Sequence, residues 1–117
     1  MRKKVVIFGA TGNTGAYLTE YCLENLDLKE FEVIAVGRRK TDFFSQYGIK
    51  YYSVDITDKR EFDKLPKENI YAVIHLSAVL PAYMEGYHPK QYLDTNIIGT
   101  FNVLEYCRIT NTDRILY

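Results

Sequence analysis

Gly9, Gly12 and Gly15 recur at a spacing of three, directly after four apolar residues, Val5-Val6-Ile7-Phe8. Between a strand and a helix, glycines so spaced serve the chemistry of anion binding. The N–H groups of a first helical turn lack intrahelical partners and carry the positive end of the helix dipole. Gly9 permits a tight exit from the strand. Gly12 lets backbone approach a phosphate with no Cβ in the way, and Gly15 lets the helix pack close to the strand. A plain strand-turn-helix accounts for an isolated glycine-rich turn. Here the glycines occupy the first turn of an alternating strand–helix chain, which points to a dinucleotide.

The end of the second apolar run bears on which dinucleotide. A binder of a free 2′-hydroxyl usually places an acid there. This chain places Arg38 and Arg39, with no acid until Asp42. A guanidinium fork suits a 2′-phosphate, so the sequence favours NADP over NAD, with Arg38 ahead of Arg39; two solvated arginines on a surface turn are the plainer alternative. Asp55 follows another strand, where it accepts from an adenine amino group or caps the helix that starts near Asp58. His75 ends an apolar strand and reads as a structural histidine. Ser77 and Ala78 are small enough for a ligand to approach their backbone. Asn96 interrupts an apolar helix face and is expected to satisfy buried polar groups. Tyr83, Tyr87 and Tyr92 could line a substrate pocket, but with eleven tyrosines in the chain, core or rim packing is the default. No cluster of His, Cys and carboxylates points to a metal.

These residues need elements to position them. The periodicity predicts strands at 5–8, 31–36, 50–54 and 71–76, and a fifth beginning at 114. It predicts helices from Asn13 or Thr14, either able to cap, to about 26, at about 58–65 and at about 89–108, with a short amphipathic turn at 41–47. Pro66 ends the second helix, and Pro89 suits the first turn of the third. The loop from 77 to about 88 carries Pro81 and Gly86. Strands alternating with helices imply a doubly wound parallel sheet with helices on both faces, and right-handed crossovers give the order 3-2-1-4-5. Ligands of such sheets bind at the carboxyl ends of the strands, where the order reverses. Gly9 to Gly15, the arginine turn, Asp55 with Ile56, and the stretch from His75 to Ala78 all fall there.

A chain of 117 residues is one domain, residues 1–117. Fifteen basic and fifteen acidic residues cancel, and the one basic cluster is Arg2-Lys3-Lys4, which argues against nucleic acid and membrane surfaces as partners. Apolar runs fall well short of the ~20 residues of a membrane span. Cys22 and Cys107 lie in helical patterns and are expected to be reduced core thiols, which fits the cytoplasm.

Together these residues resemble the NAD-dependent epimerase/dehydratase family, the extended short-chain dehydrogenases. The likeness is carried by Gly9-Ala10-Thr11-Gly12-Asn13-Thr14-Gly15, Asp55-Ile56-Thr57, His75-Leu76-Ser77-Ala78, Asn96-Ile97-Ile98-Gly99-Thr100 running into Asn102-Val103-Leu104-Glu105, and the closing Arg114-Ile115-Leu116-Tyr117. The resemblance implies that Gly9, Thr11, Gly12, Asn13 and Thr14 contact pyrophosphate and ribose. It implies that Asp55 and Ile56 hold the adenine, that Leu76, Ser77 and Ala78 lie along the nicotinamide, and that Asn96 supports the site. It further implies hydride transfer on a sugar nucleotide or related carbonyl or alcohol substrate, and a homodimer through the long helix.

The chain also departs from that pattern. The family's catalytic serine or threonine follows the fifth strand, and its Tyr-x-x-x-Lys pair lies on the next helix. Neither can be placed here: Lys90 is the only lysine after residue 67, and Gly86 stands four residues before it. Two functions are therefore carried forward. One is the cofactor-binding portion of an oxidoreductase, truncated before its catalytic pair and inactive alone. The other is a self-sufficient, non-catalytic dinucleotide-binding module. The apolar helix face and the unfinished sheet edge predict self-association or poor solubility.

Overall fold

The computed structural model describes residues 1–78 and 89–117. Tyr83, Tyr87, Pro81 and Gly86 lie outside the described residues. The elements run β1 (Lys3–Phe8), α1 (Asn13–Asn25), β2 (Phe31–Gly37), a 3-10 turn (Phe43–Tyr47), β3 (Lys50–Ser53), a second 3-10 turn (Lys59–Lys64) and β4 (Ile70–His75). Then follow α2 (Pro89–Tyr92), a π-helical segment (Leu93–Gly99), α3 (Thr100–Ile109) and β5 (Ile115–Leu116). The strands form one parallel sheet in the order β3-β2-β1-β4-β5, as the crossover rule predicts.

Alternation along the strands divides the core into two layers. Val6, Phe8, Ile34, Val36 and Val73 point to one face, where Phe62, Leu65, Val103, Tyr106 and Cys107 cover them. Val5, Ile7, Val33 and Ala35 point to the other, against Cys22 and Phe44. β1 is buried on both faces because it sits mid-sheet with a helical layer on each side, which is why its sequence is a continuous apolar run. Both cysteines are buried free thiols, and burial pushes the Cys107 thiol up to about 11.

Three elements differ from the sequence expectation. The segment after Asp58 folds as a six-residue 3-10 turn, the geometry found in short connectors, here bounded by a capping aspartate and Pro66. The long helix is not uniform but carries a seven-residue π segment between α2 and α3. No side chain of Asn13 or Thr14 caps α1; its N-cap is Gly12, in extended conformation, with no side-chain cap hydrogen bond. α3 and the π segment carry apolar residues on two sides, of which one packs. Gly99, Asn102, Val103, Tyr106 and Cys107 face the sheet, whereas Leu93, Ile97, Ile98, Phe101 and Leu104 are exposed.

Candidate functional site

The chain leaves β1 through Gly9, whose φ of 81° lies in the left-handed region. The N–H groups of Gly9 and Ala10 both donate to the Val36 carbonyl, at 2.9 and 3.0 Å, tying the turn to the end of β2. A Cβ on Gly9 would stand 2.7 Å from the backbone of Leu76 and Ser77, so the end of β4 also closes on this turn. A Cβ on Gly15 would stand 2.0 Å from the Gly9 carbonyl oxygen, which leaves no room for any other residue. Gly12 is different: a Cβ there would meet only the Gly9 oxygen, at an ordinary 3.5 Å. The fold itself does not demand glycine at this position, and Gly12 faces a cavity.

That cavity, of about 330 Å³, lies at the carboxyl ends of the strands. Gly9, Thr11 and Gly12 line it from the first turn, Arg38 and Arg39 from the end of β2, Asp55 and Ile56 from the end of β3, and Leu76, Ser77 and Ala78 from the end of β4. Ten of the fourteen sequence-predicted residues thus meet around one space. Gly15 is buried behind the turn, and Asn13 and Thr14 are exposed on the first turn of α1. Asn96 is half-buried in the π segment, and from that segment it is its neighbour Thr95 that reaches the cavity.

The two readings of Asp55 are resolved in part. Asp58 caps the turn that follows, accepting from Arg60 N–H at 3.1 Å, so Asp55 is not needed as the cap. Asp55 instead accepts with Oδ1 from the backbone N–H of Thr57 at 3.0 Å and from its hydroxyl at 2.7 Å. This holds the carboxylate at the cavity wall. Ile56 is fixed from behind by two residues: Asn102 donates Nδ2 to its carbonyl at 2.8 Å, and Gly99 leaves the space its side chain fills. Asn102 was not among the predicted site residues. It is a buried polar side chain on a helix face otherwise packed with Val103, Tyr106 and Cys107, and that interruption was its signal.

The first turn of α1 meets the chemical requirement for a phosphate. Its first backbone bond runs from Ala16 N–H to the Gly12 carbonyl at 2.9 Å, so the N–H groups of 13–15 lie before the ladder begins. With a glycine N-cap, no side-chain oxygen competes for them. A pyrophosphate therefore fits the groups present: free donors, a positive dipole end, and an approach not blocked by a Cβ. Among the described residues no group of His, Cys, Asp and Glu could hold a metal ion.

His75 stands behind the cavity. It is 5% exposed, with Nε2 2.9 Å from Thr100 Oγ1, and Nδ1 lacks a partner among the described residues. Burial pushes its pKa below the usual 6.5. The unfolded chain then binds more protons than the folded one, so His75's contribution to stability is complete above about pH 6.5 and is lost as pH falls toward the folded pKa. The melting temperature is expected to fall between pH 7 and pH 5, and His75→Gln is expected to flatten that slope. The carboxylates held low by neighbouring cations, Asp58, Glu61 and Glu105, act below this window. An unchanged slope in the variant would remove His75 from the account.

Comparison with known proteins agrees with this geometry. The sequence model of the NAD dependent epimerase/dehydratase family matches residues 5–117. Among curated relatives, the UDP-N-acetylglucosamine 4,6-dehydratase (inverting) of Campylobacter jejuni is 28% identical over 91% of this chain and 33% of its own length. A putative UDP-glucose 4-epimerase of Methanocaldococcus jannaschii is 25% identical over 97% of this chain and 36% of its own. Among solved structures, the Thermus thermophilus UDP-glucose 4-epimerase in complex with NAD superposes with a TM-score of 0.74 at 22% identity, over 96% of this chain and 36% of that one. The chain spans about a third of the length of the curated relatives it matches.

Proposed function

The chain belongs to the NAD-dependent epimerase/dehydratase family, and we propose that it is the nicotinamide-dinucleotide-binding portion of an oxidoreductase acting by hydride transfer on a sugar nucleotide or a related carbonyl or alcohol. What carries this reading is the convergence of the glycine turn, Arg38, Asp55 with Ile56, and Leu76, Ser77 and Ala78 on one cavity. When bound, the dinucleotide supplies the hydride donor or acceptor. The N–H groups at the start of α1, with Thr11, Asn13 and Thr14 beside them, hold the pyrophosphate and ribose. Asp55 accepts from the adenine amino group, and Ile56 packs against the base. Leu76, Ser77 and Ala78 flank the nicotinamide, with Asn96 supporting them from the π segment. No residue of the chain matches the family's Tyr-x-x-x-Lys pair, so cofactor binding without turnover is expected of these residues alone.

We read the cofactor as NADP in preference to NAD. Arg38 is exposed at the cavity, its guanidinium making no hydrogen bond among the described residues, and a charge-assisted contact from a guanidinium to a phosphate is worth about 1.5–3 kcal/mol. Calorimetric titration with NADPH and NADH is expected to show NADPH binding about 10- to 100-fold tighter. Arg38→Ala is expected to bring NADPH back to the NADH value. Equal affinities in the unaltered chain would remove the NADP preference, and no binding of either cofactor would remove the binding function.

The exposed stripe of Leu93, Ile97, Phe101 and Leu104, with Ile98 beside it, supports a homodimer through residues 89–108. Among the described residues no helix is long and apolar enough to cross a membrane. The two buried free thiols fit a reducing compartment such as the cytoplasm.

A further inference from the structure

The two arginines at the end of β2 are not equivalent, and the difference is made by β3. Parallel pairing sets Ala35 opposite Tyr51 and Gly37 opposite Ser53, so these two β3 side chains share a face at the level of the arginine turn. Ser53 donates its hydroxyl to the Arg38 carbonyl at 3.0 Å, and Tyr51 donates its hydroxyl to the Arg39 carbonyl. Both peptide planes of the turn are thereby held. The Tyr51 ring is itself fixed, stacked on the buried Phe44 with centroids 5.3 Å apart and planes 11° from parallel. A Cβ on Gly37 would stand 2.8 Å from the Tyr51 hydroxyl and from the Thr11 methyl, so glycine there leaves room for the contact.

The Arg39 side chain completes the linkage. Its Nη2 donates to the Thr11 carbonyl at 2.8 Å, joining the arginine turn to the glycine turn. The Arg39 side chain is thus committed to the fold, while the Arg38 guanidinium makes no hydrogen bond among the described residues.

We propose that Tyr51 and Ser53 are positioning residues for cofactor choice. By holding the two carbonyls they fix the turn, so that Arg39 straps it to Thr11 and Arg38 alone presents its guanidinium to a 2′-phosphate. The proposal rests on the NADP reading above. It goes beyond that reading in assigning the selectivity to two hydroxyls that lie on a different strand from the guanidinium.

The test uses two small probes that differ only in the phosphate at issue, adenosine 2′,5′-bisphosphate and AMP. Each is titrated against the unaltered chain, Tyr51→Phe, Ser53→Ala, the double variant and Ser53→Thr, with melting temperatures recorded alongside. Tyr51→Phe keeps the ring stacked on Phe44, and Ser53→Thr keeps a hydroxyl. In the double variant the preference for the bisphosphate is expected to fall about 5- to 10-fold, each lost hydrogen bond accounting for a few-fold. AMP affinity should stay within about twofold, and Ser53→Thr should retain the preference. A preference that survives in the double variant overturns the proposal, as does an equal loss for both probes, which a merely structural role would give. An unaltered chain that does not distinguish the probes overturns the NADP reading itself, and this proposal with it.

Discussion

Gly15→Ala is expected to cost the chain much of its stability, and Gly12→Ala chiefly its ligand. At Gly15 a methyl group would stand 2.0 Å from the Gly9 carbonyl oxygen and 2.7 Å from the Ala10 Cα, backbone atoms with nowhere to go. Relief requires α1 to move away from β1, which opens the layer containing Ile7, Ala10 and Cys22. Overpacking of this kind costs about 3 kcal/mol or more. For a domain of this size that lowers the melting temperature by about 12 °C, readable by scanning calorimetry. At Gly12 the same methyl meets nothing closer than 3.5 Å, and φ of −77° with ψ of 171° suits alanine. The melting temperature should fall by only about 4 °C, since alanine at an N-cap costs up to about 1 kcal/mol relative to glycine. Cofactor affinity should nevertheless drop by about tenfold or more, since the methyl would project into the approach to the pyrophosphate. If Gly12→Ala destabilises the chain as much as Gly15→Ala, the division between a glycine for packing and a glycine for the ligand is wrong.

Asn102→Ala is the second large effect. The side chain is 7% exposed and donates to the carbonyl of Ile56, which is equally buried. Removing the donor leaves that carbonyl without a partner in an apolar layer beside Val103 and Tyr106, at a cost of about 1–3 kcal/mol. The loss should appear as a fall of about 4–12 °C in melting temperature. It should also weaken NADPH and NADH alike, because the wall beside Asp55 loosens while Arg38 is untouched. This pattern separates it from Arg38→Ala, which alters one cofactor alone. A variant with lowered stability and unchanged affinity for both cofactors would show that Asn102 supports the core and not the cavity.

Much of this was legible in the sequence because several signals are local. The run Val5-Val6-Ile7-Phe8 has no polar alternation, and only a strand covered on both faces produces such a run. The glycine spacing marked the first turn, and the crossover rule then gave the strand order without any further contact information. What could not be read depends on partners distant in the chain. The pairing of Asn102 with Ile56 spans 46 residues, and that of Ser53 with Arg38 arises from strand register. The π segment was hidden because its residues, Leu93 to Gly99, fit an α-helical apolar period equally well. The extra residue in the turn shows only once Gly99 and Asn102 are seated on the sheet. The apolar character of this helix was legible, but which of its apolar residues pack on the sheet was not, because it carries them on both sides.

The central position of β1 also governs the order in which the cavity can come into being. On one side β1 pairs with β2, as in Val5 with Val33, a separation of 28 residues; on the other it pairs with β4, as in Val5 with Ala72, a separation of 67. The shorter closure is the cheaper and the faster. The glycine turn, the arginine turn and the strap between them all belong to the first 39 residues. The wall made by Leu76, Ser77 and Ala78 arrives only with the longer closure. A ligand that touches both walls therefore acts as a latch on the slowest contact of the sheet, and its binding free energy favours the state in which β4 has docked. A ligand that reaches only the adenosine side leaves that closure unassisted.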